Sequence, residues 1–324
     1  MAGVRPVIRG VGRYLPERIV PNSAFEHLDT SDEWIRTRTG ILERRFAADG
    51  QLTSELAVNA ARDALDDAGV EPGDIDLILL ATSTPDRTFP STAVTVQREL
   101  GITQGFAFDV QAVCAGFVYA LANANALLRA GDARRALVIG AETFSRILDM
   151  RDRSTCILFG DGAGAVILEN RPADGTNRDR GILATDTRSD GRYQHLLYVD
   201  GGVSSTQTAG FIRMDGKEVF RHAVNKLETS TRDCLTKAGL STKDVDFLVP
   251  HQANLRIINK TAEKLGIPSD RVVATVRHHG NTSAASIPLA LHAAVSAGSI
   301  LPGNILVTNA IGGGLAWGSV VIRW

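Results

Sequence analysis

The sequence predicts an α/β protein made of two copies of one unit. The first observation is that buried-strand runs alternate with amphipathic helix patterns, the order of a helix-covered sheet. The second is an internal repeat. ALDDAGVEPGDIDLILLATS, starting at Ala64, matches CLTKAGLSTKDVDFLVPHQA, starting at Cys234, at an offset of 170 residues. RELGI from Arg98 meets EKLGI from Glu263 at an offset of 165, and RALVIGAE aligns roughly with NILVTNAI near 169. A period of this length means two stacked copies of one module. The third is the stretch FDVQAVCAGFVYAL, Phe108 to Leu121, which reads as strand, turn and helix with Cys114 at the turn.

Taken in order, VIRGVGRYLPERIVPN is strand-rich and interrupted by Pro16 and Pro21. In DTSDEWIRTRTGILERRF, Thr30, Ser31 and Asp32 are N-cap types ahead of a short helix. TSELAVNAARDALDDAGV is an amphipathic helix stopped by Gly69, and DIDLILLATSTPD is a buried strand running into a loop. STAVTVQRELGI is a second helix. FAFDV is the strand before Cys114, and RRALVIGAETFS is another buried strand. CILFGDGAGAVILE reads as two apolar runs around a glycine turn. Its FGDGAG lacks the GK[ST] and the strand–loop–helix context of a phosphate loop, so a tight hairpin-like turn is the better reading. Residues 171–215, rich in glycine, read as a linker of short strands and loops able to cover a binding site.

Composition excludes several function classes. The 324 residues are 44% apolar and 22% charged with a net charge of −1, which gives no bulk attraction to nucleic acid or anionic membrane. The opening MAGVRPVIRGVGRYLPERIV lacks the apolar core of a signal peptide. No run of 18 apolar residues appears, so neither export nor a membrane span is expected. Cys114, Cys156 and Cys234 fit a reducing cytoplasm better than a disulfide framework. No lysine precedes Lys217, which removes a Walker-type loop and any early Schiff-base lysine.

The candidate chemistry gathers around Cys114. At or near a helix N-terminus, unpaired N–H groups and the helix dipole favour an anion. The thiol is therefore expected to ionise below the ~8.5 of a free cysteine and to act as a nucleophile. The residues alone leave open that it is a small buried core residue. In the second copy the same slot holds HHGNTSAASIPLALHAA, and His251 closes the strand FLVPHQAN. The repeat would bring Cys114, His251 and Asn281 together from three loops, although a strand-end histidine and a turn asparagine are also ordinary structural residues. Trp34 among Arg36, Arg38, Arg44 and Arg45 suits a nucleotide-like anion, or is a solvated face with one packed ring.

With DTSDEWIRTRTGI, TFPSTA, DVQAVCAGF, FGDGAGAVIL, HQANLRII, HGNTSAAS and GGGLAWGS in hand, the chain resembles the thiolase superfamily. Within it the chain is similar to the β-ketoacyl-acyl-carrier-protein synthase III enzymes. The motifs run in family order from near residue 29 to the C-terminus. The resemblance implies a thiolase-like, five-layered αβαβα fold from two duplicated halves, residues 1–172 carrying the cysteine and 173–324 carrying the histidine and asparagine. It implies Cys114, His251 and Asn281 as the catalytic set, with the N–H groups of Cys114 and Gly313 as oxyanion hole. Trp34 and Arg153 would hold the adenine of coenzyme A, with Thr30, Arg38 and Asn254 along its path. Phe144, Phe159 and Ile311 would shape the acyl pocket, and Phe89 would reach into a partner's pocket in a homodimer. Arg221, Gln252 and Arg256 would meet the acidic carrier protein.

The implied reaction condenses an acyl-CoA primer, acetyl-CoA foremost, with malonyl-acyl-carrier-protein in the cytoplasm and initiates fatty acid synthesis. Coenzyme A thioester is substrate; no metal or other cofactor is implied. Leu42 departs from the arginine common in the family's GIRER stretch, and the bulk of Phe144 and Ile311 departs from common patterns at the acyl pocket. A thiolase needs a late second cysteine, yet none follows Cys234, and elongating synthases carry a histidine where Asn281 stands. A related condensing enzyme of specialised-metabolite synthesis is the near alternative. A papain-like hydrolase is the distant one, and the local signature around its cysteine is missing.

Overall fold

The computed structural model describes residues 3–324. Its first half runs β1 (Gly3–Tyr14), β2 (Arg18–Pro21), α1 (Asp32–Thr39), β3 (Glu43–Phe46), α2 (Thr53–Ala68), β4 (Leu77–Ala81), α3 (Thr92–Glu99), β5 (Phe106–Val110), α4 (Gly116–Ala130), β6 (Arg135–Glu142) and β7 (Gly162–Ala173). Its second half runs β8 (Gly181–Ser189), β9 (Leu197–Val199), β10 (Ile212–Met214), α5 (Gly216–Lys237), β11 (Phe247–Leu248), α6 (Leu255–Leu265), α7 (Val276–His279), α8 (Ser286–Ser296), β12 (Ile305–Gly312) and β13 (Ala316–Arg323).

Two mixed sheets carry the same topology. One is ordered β1-β7-β6-β4-β5 and the other β8-β13-β12-β11. In both, the first two strands pair antiparallel, the next pair is antiparallel and the next is parallel. A parallel bridge from Leu248 to Val272 stands in the second sheet where β5 stands in the first. The repeat extends to backbone angles: Val113 and Ser283, 170 positions apart, both hold φ of +49°, a region few non-glycine residues adopt.

The layers follow from which faces are apolar. In α2 Ala57, Ala60, Ala61 and Ala64 are buried, and small side chains let the helix lie close on β1. A Cβ on Gly12 of β1 would sit 2.2 Å from the Ala64 amide, so that position requires glycine. α2 and α3 cover the outer face of the first sheet, and α5 and α6 that of the second. α4 and α8 fill the space between, giving five layers. The stretch Val113–Ala130 is long and apolar enough to cross a membrane by composition, but here it supplies the central layer, packed on strands of both sheets. That explains its high hydrophobicity: Phe117, Val118, Ala120, Leu121, Ala124 and Leu128 are buried between the sheets, while Asn123 and Arg129 reach solvent.

Two expectations change. The segment before FGDGAG forms turns rather than a strand, so no hairpin exists there. The turn instead buries Asp161, whose carboxylate accepts from the Ala47 amide and from the Ser145 amide and hydroxyl. Residues 171–215 are more than a linker, because β8 is an integral strand of the second sheet. The ribbon of β9 and β10 does cover a cavity, described next.

Candidate active site

Cys114 sits in a single 3-10 turn, Val113–Ala115, wedged between the end of β5 and the start of α4. It is buried and stands where two cavities meet. One, of about 430 Å³, is lined by Cys114, His251 and Asn281 at its base and by Trp34, Arg38, Arg153, Lys217 and Arg256 toward its mouth. The other, of about 680 Å³, lies under the β9–β10 ribbon and is lined by Phe144, Phe159 and Ile212.

His251 is fixed at the end of the strand segment after β11 by its amide on the Asn309 carbonyl at 2.8 Å. Its Nδ1 lies 2.6 Å from the Ser286 hydroxyl at the start of α8. That hydroxyl also accepts the Gln252 amide at 3.2 Å. With the Ser286 proton donated to Nδ1, the ring proton sits on Nε2. Burial pushes the His251 pKa down to about 3, so the ring is a neutral donor. Asn281 is pinned by its amide on the Leu158 carbonyl and by its own carbonyl on the Gly160 amide, both at 2.9 Å. Its Oδ1 accepts the Ser283 amide at 2.9 Å, which fixes the orientation of the side chain and spends the oxygen. The Nδ2 donor takes no partner among the described residues.

The thiol departs from expectation. Burial pushes the Cys114 pKa up to about 12, against a hydrogen bond from Ser283 that lowers it, while Glu142 raises it further. A helix-start position was expected to depress it. The helix proper begins only at Gly116, beyond the intervening turn, and desolvation of a thiolate outweighs the dipole there. Cys156 and Cys234 are likewise raised by burial, to about 11 and about 12, and neither lines a cavity described above.

Trp34, Arg38, Arg153 and Asn254 converge on the narrower cavity as expected. The guanidinium carbons of Arg38 and Arg153 lie 4.3 Å and 5.4 Å from the centre of the Trp34 ring. Arg153 also pairs with the exposed Asp29 at 3.2 Å. Thr30 is not brought to the cavity; its hydroxyl turns back to the Phe25 carbonyl at 2.6 Å. Ile311 lines the narrower cavity beside His251 rather than the acyl-side one, because it packs with Trp317, Leu227 and Ile257 under α5 and α6. Gln252 cannot meet an external partner. It is buried, its amide nitrogen donates to the Pro250 and Val273 carbonyls, and its oxygen accepts from the Thr275 and Val276 amides. Arg221 is spent on Glu218 at 2.6 Å, whereas Lys217 and Arg256 face the mouth without an ion pair among the described residues. Phe89 is 81% exposed and lines neither cavity of its own chain.

Three residues escaped sequence reasoning. A Cβ on Gly312 would lie 2.7 Å from the Cys114 amide, so the end of β12 passes against the nucleophile turn only as glycine; the GGG run was the available signal. Ser286 orients His251. Glu142 lies buried behind Cys114, and a lone acid ending the apolar run RALVIGAE was its trace.

Comparison with known proteins shows the family and the fold. Residues 108–191 match the family model for 3-oxoacyl-[acyl-carrier-protein] synthase III, and residues 235–324 match that for its C-terminal part. A β-ketoacyl-[acyl-carrier-protein] synthase III of Cereibacter sphaeroides is 66% identical over 322 residues, 99% of each chain. Among solved structures, the 3-oxoacyl-[acyl-carrier-protein] synthase III of Aquifex aeolicus superposes with a TM-score of 0.92 at 46% identity, covering 98% of this chain and 100% of that one. The Pseudomonas aeruginosa enzyme gives 0.92 at 44%, covering 99% and 98%.

Proposed function

Because the chain belongs to the 3-oxoacyl-[acyl-carrier-protein] synthase III family of condensing acyltransferases, we propose that Cys114, His251 and Asn281 carry out its two half-reactions. The observation that carries this reading is their convergence at the base of one cavity whose mouth is aromatic and cationic.

In the first half-reaction Cys114 attacks the acyl-CoA thioester, and the N–H groups of Cys114 and Gly313 hold the tetrahedral oxyanion. Acetyl-CoA is the primer of this reading. Phe144 and Phe159, whose ring centroids lie 5.2 Å apart, line the cavity on the acyl side of Cys114. Trp34, Arg38 and Arg153 hold the nucleotide end, and Asn254 lies along the path with its Oδ1 already spent on capping α6. In the second half-reaction malonyl-acyl-carrier-protein loses CO2. The carbanion's charge falls on the thioester oxygen, which accepts from His251 Nε2 and Asn281 Nδ2. A neutral histidine serves better than a charged one here, since it donates without needing its own counter-ion in a buried site. The carbanion then attacks the acyl group, and Cys114 leaves as thiolate. CO2 loss makes the carbanion without a metal or further cofactor.

The same reading divides the chain at 172/173, supported by the matched strand order, and assigns it to the cytoplasm, supported by three cysteines unpaired among the described residues. It makes the enzyme a homodimer in which the exposed Phe89 closes the partner's acyl cavity.

Incubation with acetyl-CoA and malonyl-carrier-protein should give the 3-ketoacyl carrier protein and CO2; free acetate as the sole product would make the site a hydrolase. In the same assay, Lys217→Glu with Arg256→Glu should weaken use of malonyl-carrier-protein several-fold more than use of acetyl-CoA, and more at low salt than at high salt. Arg221→Glu alone should do little, since that cation is already paired. Equal loss for both substrates would assign Lys217 and Arg256 to the coenzyme A path instead.

A further inference from the structure

Glu142, the last residue of β6, is fully buried and lines neither cavity. Its Oε2 accepts from the Thr84 hydroxyl at 2.7 Å, the Ser83 amide at 3.0 Å and the Thr82 hydroxyl at 3.2 Å, all from the loop after β4. Its Oε1 accepts from the Ser283 hydroxyl at 3.0 Å.

Ser283 links this carboxylate to the reaction. Its hydroxyl is held by Glu142, and its backbone amide donates to Asn281 Oδ1 at 2.9 Å. The backbone of Asn281 is tied to Leu158 and Gly160, but those bonds leave its side-chain torsions free. The Ser283 amide tells the two ends of the Asn281 side chain apart, taking the oxygen and leaving Nδ2 to the site. An Asn281 amide turned over would set its own oxygen against an enolate oxygen, two acceptors facing each other.

The turn that carries Ser283 needs an anchor. Ser283 sits at φ of +49°, a conformation that costs about 1 kcal/mol or more and persists where its surroundings enforce it. One face of β6 supplies those surroundings, because alternation along a strand puts Gly140 and Glu142 on the same side. A Cβ on Gly140 would lie 2.3 Å from the Ala284 carbonyl oxygen, so the bare strand lies directly against the turn. Two residues on, Glu142 holds the Ser283 hydroxyl.

We propose that Glu142 is a positioning residue for decarboxylation, acting through Ser283 to aim the Asn281 Nδ2 donor at the developing enolate oxygen. The inference rests on Asn281 being that donor. Charge strengthens the hold, since hydrogen bonds to an ionised carboxylate are roughly twice as strong as neutral ones. Burial pushes the Glu142 pKa up to about 7, against its four hydrogen bonds. The loop after β4 and the Ser283 turn face it with hydroxyls and an amide. The nucleophile turn faces it with the Cys114 thiol, which burial holds protonated, up to about 12. The tether is therefore firm above about pH 7 and slackens as acid neutralises Glu142.

The test compares wild type, Glu142→Gln and Ser283→Ala, and combines Glu142→Gln with Asn281→Ala. Each single variant should lower kcat for decarboxylation of malonyl-carrier-protein roughly tenfold, with KM little changed, because alignment is lost rather than binding. Acetylation by acetyl-CoA, followed by intact mass, should stay within about threefold, because it does not use the Asn281 donor. Added to Asn281→Ala, Glu142→Gln should cost nothing further, since two residues acting through one group are not additive. Wild-type decarboxylation should fall as pH drops through about 7, and Glu142→Gln should be slow and flat over that range. Losses that multiply in the double variant overturn the proposal, because Glu142 would then act apart from Asn281. Equal loss of both half-reactions, or an acid limb kept in Glu142→Gln, overturns it as well. Ser283→Ala removes a single oxygen and decides the matter should Glu142→Gln fail to fold. An Asn281→Ala variant that decarboxylates at the wild-type rate overturns the underlying reading, an outcome distinct from the others.

Discussion

An Asn281→Ala variant should lose decarboxylation of malonyl-carrier-protein by roughly 10²–10³-fold, the loss expected for one preorganised oxyanion donor. Its acetylation by acetyl-CoA should stay within about tenfold of wild type, because the Nδ2 donor is needed only when the enolate forms. The structure adds a reason for some loss in acetylation: Asn281 Oδ1 holds the Ser283 amide, so the alanine variant loosens the turn beside Cys114. The two half-reactions measured separately, with [1-14C]malonyl release for one and intact mass for the other, give the ratio. A variant that decarboxylates at the wild-type rate would reduce Asn281 to a turn residue.

Gly312→Ala should show the opposite pattern. The added Cβ meets three backbone atoms: the Ala112 carbonyl oxygen and the Cys114 amide at 2.7 Å, and the Ala115 amide at 3.1 Å. Backbone cannot rotate out of the way as a side chain can, so the nucleophile turn or the end of β12 must shift. Either shift misaligns the Cys114 and Gly313 donors. Acetylation and condensation, which both pass through a tetrahedral oxyanion, should fall by roughly 10²–10³-fold, and decarboxylation by much less. Overpacking costs about 1–3 kcal/mol of stability, so the melting temperature is measured alongside. Wild-type acetylation in this variant would mean that the oxyanion is held elsewhere.

Much of the fold was legible because duplication writes itself twice. The offset of 170 places Ser283 opposite Val113, and the two share a backbone angle as well as a position. Cys114, His251 and Asn281 were legible for the same reason: each ends a strand or opens a turn at the interface between the sheets. What the sequence concealed were facings and environments. Ile311 and Gly312 are neighbours on β12, and alternation along a strand sends successive residues to opposite faces, so one residue of uncertainty assigns a side chain to the wrong cavity. Gln252 reads as an exposed polar residue until the loop at Val273–Val276 folds over it and uses both ends of its amide. The thiol of Cys114 was misjudged because helix proximity can be seen in a sequence and desolvation cannot; here burial is the larger effect. Glu142 follows the same logic in reverse, since an acid at the end of a buried strand has no partner until Thr82 and Thr84 from one loop and Ser283 from another arrive beside it.

The central claim is that Cys114 alone carries the acyl group. Purified protein incubated with acetyl-CoA, measured by intact mass and then by peptide mapping, tests it most directly. The account predicts one acetyl group per chain, located on Cys114 and absent from Cys114→Ala. Cys156 and Cys234, buried away from both cavities, should remain free thiols. Acetylation of Cys156 or Cys234, or an unchanged mass gain in Cys114→Ala, would contradict it.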